Sequence, residues 1–296
     1  MTSSFFPPHR TLMGPGPSDV SPRVLGALSR PTIGHLDPLF VELMDEIKAL
    51  LQFAFKTGNA LTLPVSAPGS AGMEACFVNL VSPGDKVIVC QNGVFGGRMQ
   101  ENVERCGGVA VMVEDEWGQP VSVDKAAAAF DQHPDAAILA FVHAETSTGV
   151  RSDAAALCSL ARERGALSIV DTVTSLGGID VDVDGWGADA VYSGTQKCLS
   201  CVPGIAPVTF SAKAVERIQK YTSEGKSEFD QDEKTQDAVV RNLEIIGEAA
   251  KNVSDELRSN RPDIPWRRLA GMRDKLIHEY FGVNLTIVWQ VVEQEI

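Results

Sequence analysis

No apolar run in the 296-residue chain approaches the roughly 20 residues that a membrane-spanning helix needs, which speaks against a bilayer span. Residues 1–10 lack the apolar core of a secretory leader. The six cysteines, at positions 76, 90, 106, 158, 198 and 201, show no disulfide-framework spacing. The expected location is therefore the cytoplasm, with no membrane partner. Positive charge is also scarce. The net charge is −13, from 39 acidic and 26 basic side chains, and the acidity of the front part argues against a nucleic-acid surface there.

Glycine and proline run out partway along the chain. Residues 1–210 hold 22 of the 26 glycines and 14 of the 16 prolines. Residues 211–296 carry 13 basic and 16 acidic side chains, about twice the charge density of the front part. This shift marks a boundary near residues 211–230 and divides the chain into two domains.

What the front part does have is short apolar runs separated by helix-length spacers. The runs at 86–90, 109–113, 136–142, 167–173, 188–193 and 206–210 predict strands, and 38–56, 72–81, 122–130 and 152–164 predict helices. Strands without polar alternation imply a mostly parallel sheet covered on both faces, an α/β fold. Such a sheet binds its ligand at the carboxyl ends of its strands. After Phe210 no strand pattern remains. Residues 233–253 are amphipathic, with Val239, Val240, Leu243, Ile246 and Ala250 on one stripe. Pro265 suits the start of a further helix and Gly282 its end. The tail therefore reads as all-α.

Five features converge on the front sheet. The turn Ala67-Pro68-Gly69-Ser70-Ala71-Gly72 precedes a helix, where free amides and the helix dipole make a phosphate seat. Phe95 follows a strand, where its ring could stack on a planar cofactor. The polar cluster His143-Ala144-Glu145-Thr146-Ser147-Thr148-Gly149 lies just past a strand's carboxyl end, and Asp171 ends another apolar run. The segment Tyr192-Ser193-Gly194-Thr195-Gln196-Lys197 ends a third. A lone lysine is usually a solvated charge and a lone strand-end aspartate a turn residue. In this order, however, the set has the chemistry for pyridoxal phosphate: an amine for its aldehyde and a carboxylate for its ring nitrogen.

These residues resemble the class V aminotransferases, in particular the alanine–glyoxylate and serine–pyruvate aminotransferases. The carrying segments are Gly14-Pro15-Gly16-Pro17-Ser18, Gly34-His35, Met44-Asp45-Glu46-Ile47, 69–74, 92–98, 143–149, 171–178 and 193–197. The resemblance covers about residues 8–212. It implies the large domain of a pyridoxal 5'-phosphate-dependent transferase and a homodimer. It also implies Lys197 as the Schiff-base lysine and Asp171 as partner of the pyridine nitrogen. Phe95 and Val173 would face the two sides of the ring, and Thr146 would bond the phenolic oxygen. The amides of Gly69, Ser70 and Ala71, with Gln196, would hold the phosphate. The implied reaction is transamination between a small amino acid such as alanine or serine and a 2-oxo acid such as glyoxylate or pyruvate. Relatives continue with a small domain that supplies an arginine for the substrate carboxylate. Nothing after Phe210 resembles it, so the large domain is expected to be incomplete. His143 reads as a structural strand-end histidine, and the Cys198-x-x-Cys201 pair has no second pair with which to hold a metal.

The tail, about residues 213–296, resembles HepT-like proteins of the HEPN superfamily, with the Arg-x4-His-x-Tyr signature at Arg273, His278 and Tyr280. The resemblance implies a dimeric toxin ribonuclease acting on RNA, in which Arg273 and His278 are catalytic. It also implies a nucleotidyltransferase antitoxin that modifies Tyr280. Arg273 and His278 lie five positions apart, about 140° around an ideal helix, so a bend or a two-chain site is needed to bring them together. Two further readings stand beside the transaminase: a toxin ribonuclease with a passenger front part, and a fusion of two incomplete domains that performs neither reaction. The two resemblances imply domains of 1–212 and 213–296, and the join 210–217 fits either family's own sequence.

Overall fold

The structure, a computed structural model of the chain, describes residues 8–34 and 37–223, together with Trp266, Leu285, Val288 and Trp289. The chain divides into two compact units, one of residues 1–32 and 42–218, the other of residues 33–41 and 219–296. The second falls mostly outside the described residues, and with it the expected all-α tail. Among the described residues no helix is long and apolar enough to cross a membrane.

Two helices, α1 (Pro22–Leu28) and α2 (Pro38–Phe55), precede strand β1 (Leu61–Val65). Then α3 (Gly69–Leu80), β2 (Lys86–Gln91), α4 (Val94–Arg105), β3 (Val109–Glu114), α5 (Val123–Gln132) and β4 (Ile138–Val142) alternate. A small hairpin of β5 (Ala144–Glu145) and β6 (Val150–Arg151) leads into α6 (Ala154–Glu163) and β7 (Leu167–Asp171). The unit closes with α7 (Val183–Trp186), β8 (Ala190–Tyr192), β9 (Ala206–Phe210) and α8 (Ala212–Ser223).

Seven strands form one sheet in the order β1-β9-β8-β7-β4-β2-β3. The neighbours from β8 through β3 are parallel, and β9 runs antiparallel to both β8 and β1. The exception has a local cause. A parallel partner needs a long crossover, usually a helix, and residues 193–205 join β8 to β9 without one. In β4, β7 and β9 every residue is buried, as expected for strands covered on both sides.

The two-residue side-chain period of the strands separates two cores. Ile88, Leu139, Phe141, Val170 and Val191 face one side, with Phe130 of α5 and Leu157 of α6. Val87, Val89, Ile138, Ala140, Ile169, Ala190 and Tyr192 face the other, with Phe77 of α3 and Met99 of α4. Side-chain caps set several helix starts. Ser122 accepts from the Lys125 amide at 3.3 Å, and Asp153 from the Ala156 amide at 3.0 Å.

Three elements differ from the sequence expectations. Strand β1 is new: Pro64 argues against a strand, but β1 is an edge, where a missing donor is tolerated. Helix α4 has no counterpart among the helices expected from the sequence. Helix α3 starts at Gly69 rather than Gly72, so the turn expected to seat a phosphate is the first turn of the helix itself.

Candidate functional site

Asp171 ends β7 opposite Tyr192 on β8. It continues the face of Leu167 and Ile169, so it points to the side covered by α3. The Tyr192 hydroxyl donates to Asp171 Oδ2 at 2.8 Å, and the Val173 amide donates to Oδ1 at 2.8 Å. Asp171 is 3% exposed. Burial pushes its carboxyl up to about 6, against the pull of the Val173 and Tyr192 donors; the negative Glu145 raises it further and Lys197 lowers it. Burial also lifts the Tyr192 hydroxyl well above its usual range, so it stays a proton donor.

Lys197 lies in the turn after β8. That turn is fixed by the Thr195 hydroxyl on the carbonyls of Val202 and Ile205, at 2.7 and 3.1 Å, and by the Cys201 amide on Thr195 O at 3.0 Å. Lys197 lines a cleft of about 410 Å³ with Gly16, Glu145, Thr146, Thr174 and Cys198 among its other walls. Gly16 has φ +117°, and a Cβ there would meet Lys197 Cδ at 2.5 Å and the Gln196 carbonyl at 2.9 Å. Glycine is therefore required twice over, for its backbone conformation and for the lysine stem lying against it.

The start of α3 comes equally close to the lysine turn. A Cβ on Gly69 would meet Val173 Cγ2 at 3.3 Å and Gly194 Cα at 3.5 Å, and one on Gly194 would meet Gln196 Oε1 at 3.0 Å. The Ala71 amide already donates to Pro68 O at 2.8 Å. Of the three expected phosphate amides, Gly69 and Ser70 are thus the open ones. Gln196 Oε1 is buried with no hydrogen-bond partner among the described residues. Thr146 Oγ1 lies 3.1 Å from Thr174 Oγ1, which donates to Ala144 O at 2.6 Å.

The sequence-predicted residues do not all meet in one place. Lys197 and Thr146 share the cleft, while Gly69, Val173 and Gly194 touch beside it. Phe95 is not in the cleft lining. It sits in the first turn of α4 with the Arg98 guanidinium 4.9 Å from its ring centre, and its amide donates to Glu145 Oε2 at 3.3 Å. His143 follows β4 on the opposite parity to Val142 and stands edge-on to Trp186 at 4.8 Å in a separate cavity. Burial, with the Arg151 charge, holds its imidazole down to about 4. The Cys198 thiol donates to Thr174 O at 3.2 Å, and among the described residues no cluster could hold a metal. Arg273, His278 and Tyr280 lie outside the described residues.

Three residues had no assigned role in the sequence: Tyr192, Glu145 and Gly16. Tyr192 becomes a partner of Asp171 only when β7 and β8 pair. Glu145 needs α4, whose Phe95, Met99 and Val103 at helical spacing were the available signal.

Comparisons with known proteins identify the family and the fold. The class V aminotransferase family model matches residues 26–244, and the ribonuclease HepT-like model matches residues 212–296. An alanine–glyoxylate aminotransferase of Drosophila melanogaster is 38% identical over 220 residues, covering 74% of this chain and 56% of the relative. The crystal structure of an alanine–glyoxylate aminotransferase from Nostoc sp. superposes with a TM-score of 0.73 at 44% identity, covering 74% of this chain and 58% of that one. A ureidoglycine–glyoxylate aminotransferase structure from Bacillus subtilis gives a TM-score of 0.72 at 37% identity, covering 74% and 57%. The chain spans about half the length of the curated relatives it matches.

Proposed function

The chain belongs to the class V aminotransferase family, and from that premise we propose that its cleft holds pyridoxal 5'-phosphate and serves transamination between a small amino acid and a 2-oxo acid. The observation that carries this reading is the buried Asp171 at the end of β7, with Lys197 in the turn after the neighbouring strand. The residues fit the cofactor. Gln196 Oε1 is buried and unpartnered among the described residues, and the amide turned over would offer its N–H to a phosphate. Gly69 and Gly194, which pack against each other, bring the first turn of α3 against the lysine turn. When bound, the cofactor supplies an electron sink for negative charge at the substrate's Cα.

The chain's own residues have definite tasks in this reading. Lys197 Nζ would hold the cofactor through its aldehyde and, once the substrate amine takes that place, would move the proton from the substrate's Cα to the former aldehyde carbon. Asp171 holds a proton on the ring nitrogen. Its carboxyl sits near 6 because it is buried, and an adjacent cation favours its ionised form. The amides of Gly69 and Ser70 with Gln196 would take the phosphate beside the cleft, Thr146 the phenolic oxygen, and Val173 one face of the ring, while Phe95, outside the cleft lining, would reach the other face from the first turn of α4. Absorbance titration tests the reading. Added pyridoxal phosphate gives a visible band that Lys197→Ala abolishes; a chain that stays colourless at saturating cofactor contradicts it.

A second reading applies to the tail, because the HepT-like match covers residues 212–296. There His278 would move the proton of a ribose 2'-hydroxyl and Arg273 would stabilise charge on the phosphate. Tyr280 would be the modified residue, with RNA and a nucleotidyltransferase antitoxin as partners. Expression should arrest growth and His278→Ala should relieve the arrest. Equal growth of both strains would remove this reading.

A further inference from the structure

Glu145 is 1% exposed, yet it is one of the residues lining the cleft. Both of its oxygens are engaged. Oε1 accepts from the Ser147 amide at 3.0 Å and the Ser147 hydroxyl at 2.8 Å, and Oε2 accepts from the Phe95 amide at 3.3 Å. Ser147 Oγ in turn accepts from the Val94 amide at 3.2 Å. The first two amides of α4, which have no partner within the helix, are thus satisfied by the loop that follows β4. Glycine makes this approach possible. A Cβ on Gly93 would fall 2.4 Å from Glu145 Cγ and 2.6 Å from Ser147 Oγ. The carboxylate also sits at the amide end of α4, where the first-turn N–H groups point.

We propose that Glu145 is a positioning residue for the cofactor ring: it ties the loop carrying Thr146 to the first turn of α4 carrying Phe95, so that two ring-bordering residues are set together. The inference rests on the cofactor reading above. A glutamine cannot take over the role. It has one acceptor oxygen where Glu145 uses two, and its amide group would face a backbone N–H as donor against donor. Glu145 also adds a second negative charge near Asp171, which favours a ring that arrives carrying a proton.

The test is a double-mutant cycle on noncovalent pyridoxal phosphate affinity, measured by fluorescence quenching in the Lys197→Ala background so that the covalent link does not mask the effect. Glu145→Gln should weaken binding about tenfold when Phe95 is present, the size of a lost aromatic contact. In a Phe95→Leu background the same change should cost less than twofold. Should Glu145→Gln fail to fold, Ser147→Ala gives a smaller loss with the same dependence on Phe95. Equal losses in both backgrounds, or none in either, overturn the proposal while leaving the cofactor reading intact. A Lys197→Ala chain that binds no pyridoxal phosphate even with Glu145 and Phe95 in place overturns it too. Absence of binding by the unsubstituted chain removes both.

Discussion

Tyr192 and Asp171 sit opposite each other at the ends of two parallel strands, and their side chains repeat the pairing that the backbone makes: hydroxyl to carboxylate at 2.8 Å. The contact is fully enclosed. A buried carboxylate normally requires a compensating charge or several donors, and here the phenol and the Val173 amide supply them.

Removing the phenol should therefore cost more than a surface hydroxyl would. Tyr192→Phe leaves Asp171 Oδ2 without its donor, which predicts a loss of about 1–3 kcal/mol at pH 7.5. The loss should shrink at pH 5, where the carboxyl is largely protonated. Urea denaturation at both pH values checks this, and an equal loss at each would show that the hydroxyl does not serve the charged form.

Two buried groups should tilt the pH profile in opposite directions. The folded state raises Asp171 from 3.8 to about 6, so its contribution to stability is present at low pH and is lost as pH rises through that window. His143 is lowered from 6.5 to about 4, so its contribution is present above 6.5 and is lost as pH falls toward 4. Each is worth on the order of 3 kcal/mol, and they largely cancel. Relative to the unsubstituted cofactor-free chain, Asp171→Asn should make stability climb from pH 4 to 6.5. His143→Leu should make it fall from pH 4 to 6. Parallel profiles for the two variants would contradict both assignments.

Gly16 should be intolerant of a side chain for a reason that lies 181 positions away. Gly16→Ala combines a positive φ, costing about 1 kcal/mol, with a clash against the Lys197 stem. Shortening the lysine should relieve that clash and leave the close approach to the Gln196 carbonyl in place. The thermal penalty of Gly16→Ala should then be visibly smaller in a Lys197→Ala background, whereas additive penalties would mean that the two residues do not touch in solution.

How much of this was legible beforehand follows from what each signal depends on. Strands β4, β7, β8 and β9 announce themselves because continuous burial leaves continuous apolar runs, and Asp171 and Lys197 stand out as charges at the ends of such runs. Helix α4 was hidden by Asn92, Gly93, Gly96 and Gly97, which look like a turn. Those glycines are small because Gly93 meets Glu145 and a Cβ on Gly96 would meet Gln91 Cα at 2.7 Å, a requirement of tertiary packing that no local pattern carries. Tyr192 looked like one more apolar strand residue. Its hydroxyl acquires a meaning only through the register of β7 on β8. The sequence pattern starts α3 three residues late, at Gly72 instead of Gly69, which hides that Ala71 already has a partner.

The central claim is that Lys197 and Asp171 serve one cofactor. Borohydride reduction of the chain incubated with pyridoxal phosphate, followed by peptide mapping, tests it most directly. The account expects a single reduced adduct on the peptide containing Lys197, with weaker labelling in Asp171→Ala. Adducts spread over surface lysines such as Lys48 and Lys125, with Lys197 unmodified, would contradict it.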